Sequence, residues 1–272
     1  MKIKNTKIKN FAAAILAIIL ASCSSSENTA DTTPAVTQLN LPRKITSGAN
    51  VTIINYNGNK ITEVINSSNE KKLTTYTGDL ITKQEIFINN VSNIQNFYTY
   101  EGGKLKTYYK KIAGSNLEYT TNYTHNTTNT TNIPNITYVE KTKDVTITAP
   151  NSESISKTGQ IFIINGNVTK EIISSTIGPY SYVTTKTYEY DTKNNLNLNI
   201  LGFNLLINDG SSCSVNNVIK ITTLTESTLN GVVETPYTFI LTAVLVYNSN
   251  NYPTECQQFS GISSIPKIFI EY

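Results

Sequence analysis

Val51-Thr52-Ile53-Ile54-Asn55-Tyr56 runs into Asn57-Gly58-Asn59 and out through Lys60-Ile61-Thr62-Glu63-Val64-Ile65. Two runs of β-branched and aromatic residues, alternating with polar ones, meet at an Asn-Gly turn. Alternation of period two puts one face of each run in a core. Asn and Gly tolerate the left-handed backbone that tight hairpin turns require. The stretch is a β-hairpin in which an aromatic ends one strand and an aliphatic opens the next.

The same unit recurs along the chain. Thr75-Tyr76, Gly78-Asp79 and Leu80-Ile81 form one copy, and Tyr98-Thr99-Tyr100, Gly102-Gly103 and Lys104-Leu105 another. Ile161 to Ile164 with Asn165-Gly166-Asn167, Tyr188 to Leu196, and Val246 to Glu255 are looser copies. In the first three and the last, an apolar residue follows the tyrosine by five places. A spacing of roughly 20–24 residues between copies predicts successive hairpins laid side by side. The expected fold is all-β, an antiparallel meander of hairpins forming one strongly bent sheet, a half-barrel or an open barrel. The unit resembles the YD repeat of RHS-type proteins in its Tyr-x-x-x-Gly-x-Leu-like core. It is closer still to uncharacterised YD-repeat-like envelope lipoproteins. The regular Tyr-Asp and Gly-Arg pairs of the large RHS shells are missing here.

Working outward to the N-terminus, Lys2, Lys4, Lys7 and Lys9 precede an apolar run from Phe11 to Leu20. That run is shorter than the about 20 residues a transmembrane helix needs. A basic start and a short apolar core before small residues describe a signal peptide, here an expected signal helix. Leu20-Ala21-Ser22-Cys23 resembles the lipobox of bacterial lipoproteins. The resemblance implies cleavage before Cys23, acylation of its sulfur, and tethering to the outer membrane through that lipid. Residues 1–22 are then the signal peptide, 23–45 a Ser/Thr/Asn/Pro-rich tether, and 46–272 the β-domain. Within the tether, Asp31-Thr32-Thr33 resembles a pattern at which some Gram-negative bacteria O-glycosylate exported proteins, with Thr32 the candidate acceptor.

Removing residues 1–22 leaves 250, enough for one large β-domain. It also removes four of the 22 basic residues, leaving 18 against 19 acidic ones. A nearly neutral chain gives no electrostatic case for nucleic acid. With Cys23 lipidated, Cys213 and Cys256 remain as a candidate disulfide pair or as two buried thiols. A bridge would close a loop of about 43 residues, worth roughly 3–4 kcal/mol in the chain-entropy picture.

No catalytic constellation stands out. His125 is the only histidine, inside a Thr/Asn run from Tyr119 to Asn132 that reads as a long polar loop. This rules out a multi-histidine metal site and argues against Ser-His-Asp chemistry. Glu63, Glu85, Glu101, Glu171, Glu189, Glu226 and Glu255 fall on polar positions of alternating strands, expected on a solvated face. Asp191 and Asp209 sit in Asn-rich turns that lack the ligand pattern of a calcium loop. The recurrent tyrosines read first as packing between hairpins. Leu196–Ile207, Val215–Leu224, Thr238–Tyr247 and Ile265–Tyr272 are expected strands.

Three functions remain open. One is a non-catalytic binding or structural component of the envelope, with a glycan, an apolar ligand or an envelope protein as partner. The second is a carrier of lipid or another apolar ligand in a concave sheet. The third is a carboxylate-dependent glycan hydrolase needing two facing acids. No cofactor is expected.

Overall fold

A computed structural model describes residues 39–126, 133–147, 153–261 and 263–272. The expected signal helix, Cys23 and Thr32 lie outside these residues.

The hairpins follow one another with almost no interruption. The first half comprises β1 (Lys44–Ser47), β2 (Asn50–Asn57), β3 (Lys60–Asn66), β4 (Glu70–Thr77), β5 (Leu80–Ile88), β6 (Val91–Glu101), β7 (Lys104–Ile112), β8 (Leu117–His125) and β9 (Ile136–Asp144). The second comprises β10 (Glu153–Ile164), β11 (Asn167–Ile177), β12 (Tyr180–Asn194), β13 (Asn216–Leu229), β14 (Val232–Val233), β15 (Tyr237–Tyr247), β16 (Pro253–Ser260), β17 (Ser263–Ser264) and β18 (Ile268–Glu271). All belong to a single antiparallel sheet.

The sheet is not open. β18 pairs with β1, Ile270 opposite Ile45, and the ring of 16 strands closes. β14 and β17 are short additions outside that ring. Closure corrects the half-barrel or open barrel expected from sequence. An uncovered edge would leave unpaired N–H and C=O groups, and here the last strand takes up the first. The expected tether also ends sooner, since Leu41 and Pro42 are buried and β1 begins at Lys44.

The tyrosine spacing has a direct structural meaning. Tyr56 lies opposite Ile61, Tyr76 opposite Ile81, and Tyr100 opposite Leu105, each across a two-residue turn. The first turn residues, Gly58, Gly78 and Gly102, have φ of 62°, 57° and 57°. One residue beyond each pair the register shifts by a bulge. The bulge adds a residue to the second strand and keeps both runs facing inward. Ile54, Ile61, Ile81, Leu105, Ile136, Ile161, Val168 and Ile270 form the buried inner layer.

Three local expectations change. Tyr119 to His125 belongs to β8, and the His125 imidazole lies 2.7 Å from the Leu105 carbonyl. Leu196 to Ile207 is not a strand but part of an insertion carrying two 3₁₀ segments. Glu171 faces the lumen and is buried, whereas Glu63, Glu85, Glu189 and Glu255 keep to the outside.

Candidate functional site

Eight strands already make a barrel that wall side chains can fill, whereas sixteen leave a wide bore. Here the segment Asn195–Val215, between β12 and β13, folds back into that bore as a plug. Asn195 and Asn197 start it. The Asn195 carboxamide accepts from the Asn197 N–H at 2.8 Å and donates to the Asn216 carbonyl at 3.1 Å. Such local side-chain bonds compete with a strand ladder. Gly202, at φ 73°, lets the backbone pass the turn between β4 and β5. A Cβ there would sit 2.9 Å from the Asp79 carbonyl oxygen.

The plug is pinned to hairpin turns at one end of the barrel. Leu201 N–H donates to the Asn59 carbonyl at 3.0 Å, and the Tyr76 hydroxyl to the Leu201 carbonyl at 3.2 Å. Opposite, Val168 N–H donates to Ser214 Oγ at 3.0 Å, and the Tyr190 hydroxyl donates to the Val168 carbonyl at 2.6 Å. Between these anchors Phe203, Leu206 and Ile207 are buried, Leu206 completely. Toward the other end the inner face is less filled, with Ile86, Ile94, Lys110, Tyr119, Thr142 and Tyr182 only half-buried.

Charge collects where plug meets bore. Asp209 lies deep there, and burial raises its carboxyl, with Lys72 opposing the shift. Burial likewise lowers Lys72, and Asp209 opposes that. Wall atoms crowd both, yet each keeps some contact with solvent. Glu171 accepts from the Tyr188 hydroxyl at 2.8 Å and stands 3.9 Å from Lys186. Glu140 pairs with Lys157 at 2.9 Å and accepts from Ser156 Oγ at 2.8 Å. Both lumen glutamates are engaged by a lysine and a hydroxyl. No group of three or more His, Cys, Asp or Glu able to hold a metal occurs among the described residues.

The wall is split at the foot of the plug. The β13–β15 ladder runs from Thr225–Tyr237 to Lys220–Thr242 and stops there. Below it β13 stays with β12, with a register shift at Tyr190, while β15 stays with β16. A cavity of about 130 Å³ opens behind the split. Its walls are Val218, Ile221, Leu241, Ala243, Leu245 and Ile268, with Asn195–Asn197 and Ser211–Ser212 of the plug behind. Cys256 and Gln258 of β16 complete it.

Cys213 and Cys256, the candidate disulfide, are both buried free thiols in this structure. Cys213 ends the second 3₁₀ segment and donates to the Gly210 carbonyl at 3.0 Å. Burial pushes its thiol up to about 12 and that of Cys256 up to about 11. Asp191 holds a turn by accepting from the Lys193 N–H at 2.9 Å. Sequence reading missed the plug and the cavity. The Asn195, Asn197 and Asn199 spacing, with Gly202 and Gly210, was the available signal against a strand.

No protein-family model matches the chain, and no curated protein matches it in sequence. Among solved structures it is similar to a porin-like protein from Bacteroides vulgatus, at 15% identity and a TM-score of 0.54. That match covers 85% of this chain and 98% of the other. A porin-like protein from Bacteroides uniformis aligns at 10% identity with a TM-score of 0.45, over 84% of this chain and 95% of that one. At 15% identity the first likeness speaks for the fold alone: an all-β barrel.

Proposed function

We propose that this chain is a lipid-anchored, non-catalytic binding component of the outer membrane, acylated at Cys23, whose barrel stands in water. The observation that carries this reading is the distribution of polarity across the wall. A membrane-spanning barrel presents an apolar band about 25 Å tall to lipid and keeps polar groups inside. Here no such division holds: exposed apolar side chains such as Ile53, Ile240 and Val244 share the outer wall with charged pairs. Isoleucines and tyrosines line much of the bore, and ion pairs stud the outside: Lys83–Glu85 at 2.6 Å, Lys111–Glu118 at 2.9 Å and Lys220–Glu189 at 2.7 Å. Lys44–Glu271 joins β1 to β18, and Lys267, just before β18, pairs with Glu255 of β16. The plug also obstructs the bore.

Lipid carriage finds no support in the cavity, whose volume is close to the about 150 Å³ that accommodates one benzene ring. Glycan hydrolysis would require an unengaged pair of facing acids, and Glu140 and Glu171 are each paired with lysine. The YD-repeat resemblance agrees with a structural hairpin scaffold and names no chemistry.

The test is solubility and conductance of the mature chain, residues 23–272 carrying Cys23→Ala. We expect a monodisperse protein in detergent-free buffer that opens no channel in planar bilayers. Wild type in cells should incorporate an alkyne-labelled fatty acid and sediment with outer membrane. A variant that needs detergent to stay dispersed, or that conducts, would overturn the reading.

A further inference from the structure

We infer that the cleft behind the β13–β15 split binds a small neutral molecule with an apolar body and one or two O–H or N–H donors, entering through the wall. The inference rests on geometry separate from the anchor and from the polarity of the barrel.

Access comes from the broken ladder. Beyond Lys220–Thr242 no strand pairing joins β13 to β15, so no sheet covers the cavity from that side. The plug residues Asn195–Asn197 and Ser211–Ser212 close it from within.

Chemistry comes from two unpaired acceptors. Buried polar groups in folded proteins almost always have a partner. Among the described residues, four buried side-chain atoms lack one, and two of them, Asn197 Oδ1 and Gln258 Oε1, are carried by residues that line this cavity. Asn197 is 6% exposed and Gln258 8%. The Asn197 amide nitrogen is held by the Ser212 carbonyl at 3.3 Å, which fixes the oxygen as the free end. The remaining lining is aliphatic apart from Asn195, Ser211 and Ser212 of the plug, Asn217 and Thr242 of the wall, and the Cys256 thiol. Lys220 also borders the cleft, but its ammonium is held by Glu189 at 2.7 Å on the outer face. The site therefore selects donors without charge. At about 130 Å³, close to the about 150 Å³ that binds benzene, its enclosed space matches about one six-membered ring.

Phenol is the probe, with toluene as its donor-free counterpart, titrated by NMR against the mature chain carrying Cys23→Ala. Saturable phenol binding, at least ten-fold tighter than toluene, with shifts at Ala243, Leu245 and Gln258, is the expected result. Gln258→Met, which keeps the volume and removes the acceptor, should reduce that preference while toluene binding stays unchanged. Ala243→Leu should abolish both, and thermal unfolding shows whether that variant is folded. Independently, phenol should slow alkylation of Cys256 and leave Cys213 unaffected, as read by mass spectrometry. Equal affinities for phenol and toluene would overturn the assignment of donors. Absence of binding by both, with a crystal structure showing only ordered water on Asn197 and Gln258, would overturn the site.

Discussion

The phenolic hydroxyl of Tyr247 donates to the carboxylate of Asp191, joining β15 to β12 across the foot of β13. Asp191 also accepts from the Asn217 N–H at 3.1 Å, so three strands converge on one carboxylate. This is the latch below the split, where no ladder holds β13 to β15. Hydrogen bonds to charged groups contribute about 1.5–3 kcal/mol. Tyr247→Phe should therefore lower unfolding free energy by about 1–3 kcal/mol in urea titrations and speed alkylation of Cys256. Tyr237→Phe, at a side chain 64% exposed, should change neither.

Tyr76 tests the plug. Its hydroxyl donates to the Leu201 carbonyl at 3.2 Å and accepts from the Ile61 N–H at 3.2 Å. Burial raises this phenol to about 12, so it stays protonated and able to donate at neutral pH. Tyr76→Phe should cost about 1 kcal/mol. Amide hydrogen exchange at Leu201 should accelerate more than exchange in β7, which would separate loosening of the plug from general destabilisation.

Gly159 lies opposite Tyr138, whose ring covers it. A Cβ at Gly159 would lie 2.1 Å from Tyr138 Cζ. Overpacking of this kind costs typically 1–3 kcal/mol, and Gly159→Ala should lose about that much by denaturant midpoint. In Tyr138→Ala the same substitution should cost far less, giving a coupling energy between the two sites. Additive effects would mean that the ring is not seated over the glycine.

Acid should weaken the outer face through Glu85. Hydrogen bonds from Lys83, Gln95 and Ser92 hold its carboxyl down at about 2, against an ordinary 4.5. Between those values the unfolded chain binds more protons, so stability falls as pH drops. The contribution is complete above about 4.5 and gone below about 2. Glu85→Gln should be less stable than wild type at pH 6, and the two should converge near pH 2.

Thiol counting checks the cysteines. With Cys23→Ala, unfolding without reductant should leave Cys213 and Cys256 both open to alkylation, read as two added labels by intact mass. A mass without label would mean that they form a bridge.

Much of the fold was legible because it is local. Tyr56 and Ile61 are five residues apart and meet across a Gly turn, so their spacing alone specifies a hairpin and its lumen face. The all-β class, the single sheet and the packing role of the repeat tyrosines follow from such contacts. Of the candidate site, the sequence pointed to Cys213, Cys256, Asp191 and Asp209 as residues of interest, but not to their arrangement.

Tertiary structure decided the rest. Closure depends on Ile270 meeting Ile45 across almost the whole chain, and no local pattern encodes that register. Leu196 to Ile207 alternates like a strand, yet it fills a bore that exists only once the ring has closed. Glu171 sits at a polar strand position like the other glutamates, but its strand turns that face onto the plug. Alternation fixes which residues share a face. Only the closed ring, with its plug, decides what each face meets and where the wall is left unpaired.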